Sequence, residues 1–125
     1  MRALVIDDSR AMRMILRGIL VEIGFEVVEA ASVNEGLDKL TGNGGIDLAL
    51  VDWNLPEQPG LAFVQAVRAN TTFDAMRIMM VTTETEMSQM SKALESGANE
   101  YVMKPFTKAV ILEKLGLMGL GDPQG

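Results

Sequence analysis

Short, unbroken apolar runs alternate along this chain with longer stretches in which apolar residues recur every three or four positions. Runs of the first kind are typical of strands that are buried on both faces of a parallel sheet. Stretches of the second kind are typical of amphipathic helices. The sequence therefore predicts an α/β domain of five strands, each followed by a helix. The predicted strands are Ala3–Ile6, Phe25–Glu29, Asp47–Val51, Arg77–Val81 and Tyr101–Met103.

Capping residues and glycines mark the ends of the predicted helices. The first helix should begin after Ser9, a good N-cap residue, and end at Gly24. Its apolar stripe, which should face the sheet, comprises Met12, Ile15, Leu16, Ile19, Leu20 and Ile23, and its other face bears Arg10, Arg13 and Arg17. The later predicted helices are Val33–Leu40, one opened by Pro59-Gly60 that runs through Arg68, Glu86–Ser96 and Thr107–Leu115. The second strand is the more polar one, so we expect it at an edge of the sheet.

Composition narrows the chemistry that is available. The 125 residues suffice for one domain with one core, and the formal net charge of −6 argues against a nucleic-acid partner. The chain contains no cysteine and no histidine, which excludes disulfides, thiol chemistry and the usual transition-metal ligands. Any bound metal must therefore be held by oxygen atoms, which favours magnesium, calcium or manganese.

The sequence shows no targeting or membrane segment. The first apolar run follows directly after Met1-Arg2, with no signal-peptide pattern and no apolar stretch of membrane length. We therefore expect a cytoplasmic protein with no membrane insertion.

Charged and hydroxyl side chains follow four of the five predicted strands. Asp7 and Asp8 close the first, Asp52 the third, Thr82 the fourth and Lys104 the fifth. In a parallel sheet the carboxyl ends of the strands share one edge, where ligands bind. The acids at this edge require a divalent cation to offset their charge, and the lysine and threonine suit an anion beside it.

The order of these residues at successive strand ends resembles the receiver domain of two-component response regulators. That order is Asp-Asp, then Asp, then Thr, then Lys-Pro. Asp52-Trp53-Asn54 and the segment Tyr101–Thr107 resemble the single-domain, chemotaxis-type form of that domain. The resemblance covers roughly Ala3 to Leu115. It implies a flavodoxin-like, doubly wound sheet of five parallel strands in the order 2-1-3-4-5, with five flanking helices. We expect a receiver domain over residues 1–115 and a short, flexible tail over 116–125.

The resemblance assigns roles to the acids. Asp52 would be the phosphoacceptor, forming an acyl phosphate. Asp7, Asp8 and Asp52 would bind Mg²⁺, with Mn²⁺ as an alternative, together with the backbone carbonyl of Asn54. Taken singly, Asp52 could be a solvated strand-end acid, and Asp7-Asp8 could serve only as helix-capping residues.

The remaining members of the motif would form a switch. Lys104 would contact the phosphoryl oxygens, and the bond between Lys104 and Pro105 is expected to be cis. Thr82 would donate its hydroxyl to a phosphoryl oxygen and thereby free space into which Tyr101 could rotate. That coupling would connect the site to a face formed by the fourth helix, the fifth strand and the fifth helix.

Several positions depart from the family pattern. Thr83 stands where a smaller residue is usual and could narrow access to the acyl phosphate. Asn54 and Glu84 occupy the positions that tune dephosphorylation. Glu86–Gln89 stands where the chemotaxis form has a basic start to the fourth helix, and this difference weakens the case for the flagellar switch as the partner.

The expected function is a stand-alone response regulator, possibly in chemotaxis. A histidine kinase or histidine phosphotransfer protein would load it, and a separate effector protein would receive its output. It would turn over no external substrate. The alternatives are a phosphorylation-independent docking module, a haloacid-dehalogenase-type phosphatase with an aspartate nucleophile, and a flavin-binding flavodoxin-like protein.

Overall fold

A computed structural model describes residues 1–42 and 45–120, with the side chain of Glu84 outside the description. The strands are β1 Arg2–Ile6, β2 Glu26–Ala30, β3 Leu48–Asp52, β4 Arg77–Thr82 and β5 Glu100–Met103. The helices are α1 Arg10–Ile23, α2 Val33–Gly42, α3 Gly60–Arg68, α4 Met90–Glu95 and α5 Lys108–Leu117. Two 3₁₀ segments, Thr71–Phe73 and Glu84–Gln89, precede β4 and α4. No helix in the described ranges is long and apolar enough to cross a bilayer.

All five strands are parallel and lie in the order β2-β1-β3-β4-β5. The expected fold class and strand order are confirmed, and the polar β2 lies at an edge as predicted. The registers place Asp52 opposite Val81 and Thr82 opposite Met103, so the carboxyl ends of β3, β4 and β5 share one edge.

Helices cover both faces of the sheet, which explains the unbroken apolar runs of its central strands. Leu48 and Leu50 point into a core shared with α1 and α5. Ala49 and Val51 point into the opposite core, shared with α2, α3 and α4. A strand that alternates between two apolar layers needs apolar residues at every position between its ends, and β3 is buried along its whole length, including Asp52 at its carboxyl end.

Helix α1 begins and ends where the sequence predicts. Ser9 caps it by accepting a hydrogen bond from the Met12 N–H at 3.2 Å, and Gly24 ends it with a φ of 124°. The predicted apolar stripe was too wide, however. Ile15 is 52% exposed, because the sheet and α5 cover only the narrower strip that contains Leu16 and Leu20.

The predicted helix Glu86–Ser96 is wrong at its N-terminal half. Glu84–Gln89 is 3₁₀, and the α-helix covers only Met90–Glu95. The first turn is held by local side-chain bonds, since the Thr83 N–H donates to Glu86 Oε1 at 3.2 Å and the Thr83 hydroxyl donates to the same oxygen at 3.0 Å. This capping box fixes a tight turn at the start of the segment.

The C-terminal helix is longer than the sequence predicts. It continues past Leu115 to Leu117, Met118 is buried, and Leu120 packs against the core beside α1 and α5. Met118 and Leu120 therefore pack on the domain, whereas Leu117 between them and the helix body is 67% exposed. The rest of the expected tail, 121–125, lies outside the described residues.

Candidate functional site

The side chains singled out at the strand ends meet at one edge of the sheet. One carboxylate oxygen from each of Asp7, Asp8 and Asp52 lies within 4.8 Å of the others. Asp7 and Asp52 are buried, whereas Asp8 is exposed. Three carboxylates at this spacing form a site of concentrated negative charge, which we call the acid cluster.

Lys104 places its ammonium beside two carboxylates of the acid cluster. Its Nζ lies 3.5 Å from Asp52 Oδ1 and 3.8 Å from Asp7 Oδ2. Its backbone N–H donates to the Thr82 carbonyl at 2.7 Å, which continues the β4–β5 ladder beyond Met103. The Lys104–Pro105 peptide bond is cis.

The turn between β1 and α1 holds Asp7 firmly. The Asp7 N–H donates to the Ala30 carbonyl at 3.1 Å, and Asp7 Oδ1 accepts from the Ser9 N–H at 2.9 Å. Asp7 Oδ2 is buried and has no hydrogen-bond partner in the described residues, since Lys104 Nζ at 3.8 Å is beyond hydrogen-bond range. A buried carboxylate oxygen without a donor is a position where a cation would be strongly stabilised.

Burial and like charge shift the titration of the two inner acids. Burial, followed by the charge of Asp7, raises the pKa of Asp52 to about 6, against the opposing effects of Lys104 and of the Asn54 backbone N–H. Burial is also the main cause that raises the pKa of Asp7, with the Ser9 N–H the largest opposing effect. Burial is thus the first cause of both raised pKa values, and the neighbouring carboxylates add to it.

The residues present fit a hard divalent cation. The donors are carboxylate oxygens, one of them is buried without a partner, and the cluster carries more negative charge than Lys104 offsets. Magnesium and manganese prefer such oxygen ligands. Asn54, whose carbonyl was expected to contribute, lies exposed in the loop after β3.

Gly60 places the loop after β3 against the phosphoacceptor candidate, a role that sequence reasoning missed. The Gly60 N–H donates to the Trp53 carbonyl at 2.9 Å. A Cβ at position 60 would collide with the backbone carbonyl oxygen of Asp52. The sequence predicts the Pro59-Gly60 pair as a helix start, and the close approach that requires a glycine here becomes visible only in the structure. Trp53 is buried beside this contact.

Thr82 lies in the cluster's immediate neighbourhood with its hydroxyl turned to the backbone. It is fully buried, and its Oγ1 donates to the Thr83 carbonyl at 3.3 Å. The Thr83 side chain is engaged with Glu86 and lies 3.0 Å from the Thr85 hydroxyl. The side chain of Glu84, one of the expected tuning residues, is outside the described part of the chain.

Tyr101 is half-buried on β5 and packs against the core shared with α2, α3 and α4, while Lys114 of α5 reaches over its ring. Lys114 Nζ lies 4.7 Å from the centre of the Tyr101 ring and 3.0 Å from Glu100 Oε1. Tyr101 also lines a groove of about 320 Å³ whose other walls are Met87, Val102, Met103, Pro105, Val110 and Lys114. The groove belongs to the face that the sequence assigns to output.

Comparison with known proteins identifies the class. Residues 3–116 match the response regulator receiver domain family, and the chain belongs to it. It is 42% identical to the chemotaxis protein CheY homolog of Campylobacter jejuni, over 100% of this chain and 98% of that one. It is also 42% identical to the chemotaxis protein CheY1 of Helicobacter pylori, over 98% and 100% of the two chains.

Solved structures agree with this assignment. Chemotaxis protein CheY4 of Vibrio cholerae superposes with a TM-score of 0.84 at 32% identity, over 92% of this chain and 95% of that one. A receiver domain protein from Clostridium thermocellum superposes with a TM-score of 0.84 at 26% identity, over 98% and 95%. The chain is thus a CheY-like receiver, a signalling switch of a family in which phosphorylation is the typical trigger. The family assignment displaces the phosphatase and flavodoxin alternatives.

Proposed function

We propose that this receiver accepts a phosphoryl group on Asp52 from a histidine kinase or a histidine phosphotransfer protein, in a reaction that requires Mg²⁺. One observation supports the proposal above the others. The buried Asp52 carboxylate lies 3.5 Å from Lys104 Nζ and shares its site with two further carboxylates.

The chemistry follows from the protonation states. With a pKa of about 6, Asp52 is mostly ionised at neutral pH and can act as a nucleophile. A carboxylate oxygen of Asp52 forms a bond to phosphorus while the phosphorus–nitrogen bond of the donor's phosphohistidine breaks, and the released imidazole nitrogen takes a proton from solvent. Lys104 is placed to neutralise charge on the phosphoryl oxygens.

Asp7, Asp8 and Asp52 would hold the Mg²⁺ ion, with the Asn54 carbonyl as a further ligand. When bound, the ion supplies charge neutralisation for the acids and for the incoming phosphoryl oxygens. Without the ion, burial and then the charge of Asp7 disfavour the ionised form of Asp52 and raise its pKa.

The switch begins at Thr82. Its hydroxyl would exchange the 3.3 Å contact with the Thr83 carbonyl for a stronger hydrogen bond to a phosphoryl oxygen. That movement would let Tyr101 rotate inward, away from the Lys114 ammonium that now lies over its ring. The groove beside Tyr101 would change shape, and a separate effector protein would detect the change.

The location would be cytoplasmic, and no external metabolite would be turned over. The receiver domain would comprise residues 1–115, with Met118 and Leu120 of the following segment packed against its core. The groove beside Tyr101 is proposed as the effector surface, and the flagellar switch is one candidate for the effector. Dephosphorylation would be tuned at Asn54, Thr83 and Glu84.

Trp53 fluorescence tests the proposal. Wild-type protein and Asp52→Asn are titrated with Mg²⁺ and then with acetyl phosphate. We expect a response to Mg²⁺ followed by a saturable response to acetyl phosphate that only the wild type shows. Wild-type protein that responds to neither reagent would instead support the phosphorylation-independent docking module.

A further inference from the structure

We infer that Arg13, held in place by Glu29, is a positioning residue for the acid cluster. This inference rests on the proposed magnesium-dependent function, and it concerns a residue that the sequence pattern assigned to the solvent face of α1. In the structure the Arg13 side chain is only 18% exposed.

Arg13 reaches back from α1 to the turn that bears the acids. Its Nη1 donates to the Asp7 backbone carbonyl at 2.7 Å, and its Nε lies 3.2 Å from Glu29 Oε1. Glu29 belongs to β2, so one guanidinium joins the helix, the edge strand and the turn. The planar guanidinium presents its donors in a fixed geometry that fits both acceptors, whereas an ammonium is a compact charge on a flexible stem and orients its partners less precisely.

The guanidinium contact complements the other bonds of the turn. The Asp7 N–H is held by the Ala30 carbonyl, and Asp7 Oδ1 is held by the Ser9 N–H. With the Asp7 carbonyl held by Arg13, the backbone on both sides of the Asp7 side chain is fixed. Only Oδ2 is left for the cluster, and it is the oxygen without a hydrogen-bond donor.

Charge alone predicts the opposite effect from geometry, which makes the role testable. Removing a positive charge near three carboxylates strengthens their attraction for a cation. Loss of the positioning bonds weakens cation binding, by about 10-fold or more for residues that orient ligands from behind. Weaker Mg²⁺ binding by a folded Arg13 variant therefore indicates lost positioning of Asp7 and cannot be explained by the lost charge.

Arg17 provides the matched control. It lies one turn further along α1 and its Nη1 contacts Glu29 Oε2 at 2.9 Å, but it makes no contact with Asp7 among the described hydrogen bonds. Arg17→Met therefore removes one arginine–Glu29 pair and one positive charge while the Arg13 bond to the turn stays intact.

The experiment compares wild type with Arg13→Met, Arg13→Lys and Arg17→Met, after thermal melts have shown which variants are folded. Calorimetric titration measures the Mg²⁺ dissociation constant, and NMR measures exchange of the Ser9 amide hydrogen in metal-free buffer. We expect Arg13→Met to bind Mg²⁺ about 10-fold more weakly than the wild type and to exchange the Ser9 amide hydrogen faster. Arg13→Lys should lie between Arg13→Met and the wild type in both measurements. Arg17→Met should behave as the wild type.

Several results would overturn the inference. One is that Arg13→Met binds Mg²⁺ as tightly as the wild type or more tightly. Another is that Arg13→Met leaves the exchange rate of the Ser9 amide hydrogen unchanged. The third is that Arg13→Lys has the same Mg²⁺ affinity and Ser9 exchange rate as Arg13→Met. If Arg13→Met does not fold, Arg13→Lys decides alone: it must bind Mg²⁺ more weakly than the wild type and exchange the Ser9 amide hydrogen faster, and wild-type values in either measurement overturn the inference. If wild-type protein does not bind Mg²⁺, the proposed function fails, and Ser9 exchange still decides whether Arg13 orders the turn.

Discussion

Replacing Asp52 with asparagine should make the metal-free protein more stable at neutral pH, although it removes the proposed phosphoacceptor. Burial and the charge of Asp7 raise the pKa of Asp52 from 3.8 to about 6. A folded-state pKa above the unfolded value means that the folded state binds the proton more tightly. The contribution of Asp52 to the free energy of unfolding is therefore fully present below about pH 4 and is lost as the pH rises through about 6.

The shift sets the size of the effect. A difference of about two pKa units corresponds to roughly 3 kcal/mol at about 1.4 kcal/mol per unit. The Asp52 side chain is only 9% exposed, so screening by solvent reduces this figure little. We expect Asp52→Asn to gain about 1–3 kcal/mol near pH 7.5, with the gain shrinking towards zero near pH 4.

Urea unfolding in buffer with a chelator, at both pH values, measures the effect. Asp8→Asn is the matched control, because Asp8 belongs to the same cluster but is exposed, and we expect a change within about 0.5 kcal/mol. Saturating Mg²⁺ should then stabilise the wild type more than Asp52→Asn. The reasoning is refuted if Asp52→Asn is no more stable than the wild type near pH 7.5.

Three further substitutions test the site and the fold that supports it. Lys104→Met should still bind Mg²⁺ but lose the fluorescence response to acetyl phosphate, and a normal response would remove Lys104 from the switch. Arg68→Met should lower the free energy of unfolding in urea by about 2–4 kcal/mol, because the Arg68 guanidinium donates to three backbone carbonyls, among them that of Gly97, and to an amide side chain. A decrease below about 1 kcal/mol would contradict this prediction. Gly60→Ala should destabilise the fold by roughly 1–3 kcal/mol, because the new Cβ collides with the Asp52 carbonyl oxygen; an unchanged melting temperature would show that α3 can shift freely.

The strands and the meeting of the site residues could be predicted from the sequence because both follow from local patterns. An apolar run that ends in Asp52 gives a buried strand and places the acid at its carboxyl end. Once the strands are parallel, side chains at their ends must share an edge. The predicted location of Asp7, Thr82 and Lys104 therefore required no knowledge of distant contacts, whereas their predicted roles come from the family resemblance.

The features that the sequence missed depend on contacts between distant segments. Arg13 has a helical position typical of solvent exposure, and only the placement of β2 brings Glu29 to it. Ile15 has core periodicity, but how much of α1 is covered depends on how α5 packs. The 3₁₀ turn after Thr83 contains no helix breaker, so the competing bonds to Glu86 appear only in three dimensions.

Intact-mass measurement tests the central claim most directly. Wild-type protein and Asp52→Asn are incubated with acetyl phosphate, with Mg²⁺ and with a chelator, and any added mass is mapped to a residue by peptide analysis. We predict the mass of one phosphoryl group on Asp52 in the wild type with Mg²⁺, and none with chelator or in Asp52→Asn. An equal phosphoryl adduct on Asp52→Asn, or no adduct on the wild type, would contradict the assignment of Asp52 as the phosphoacceptor.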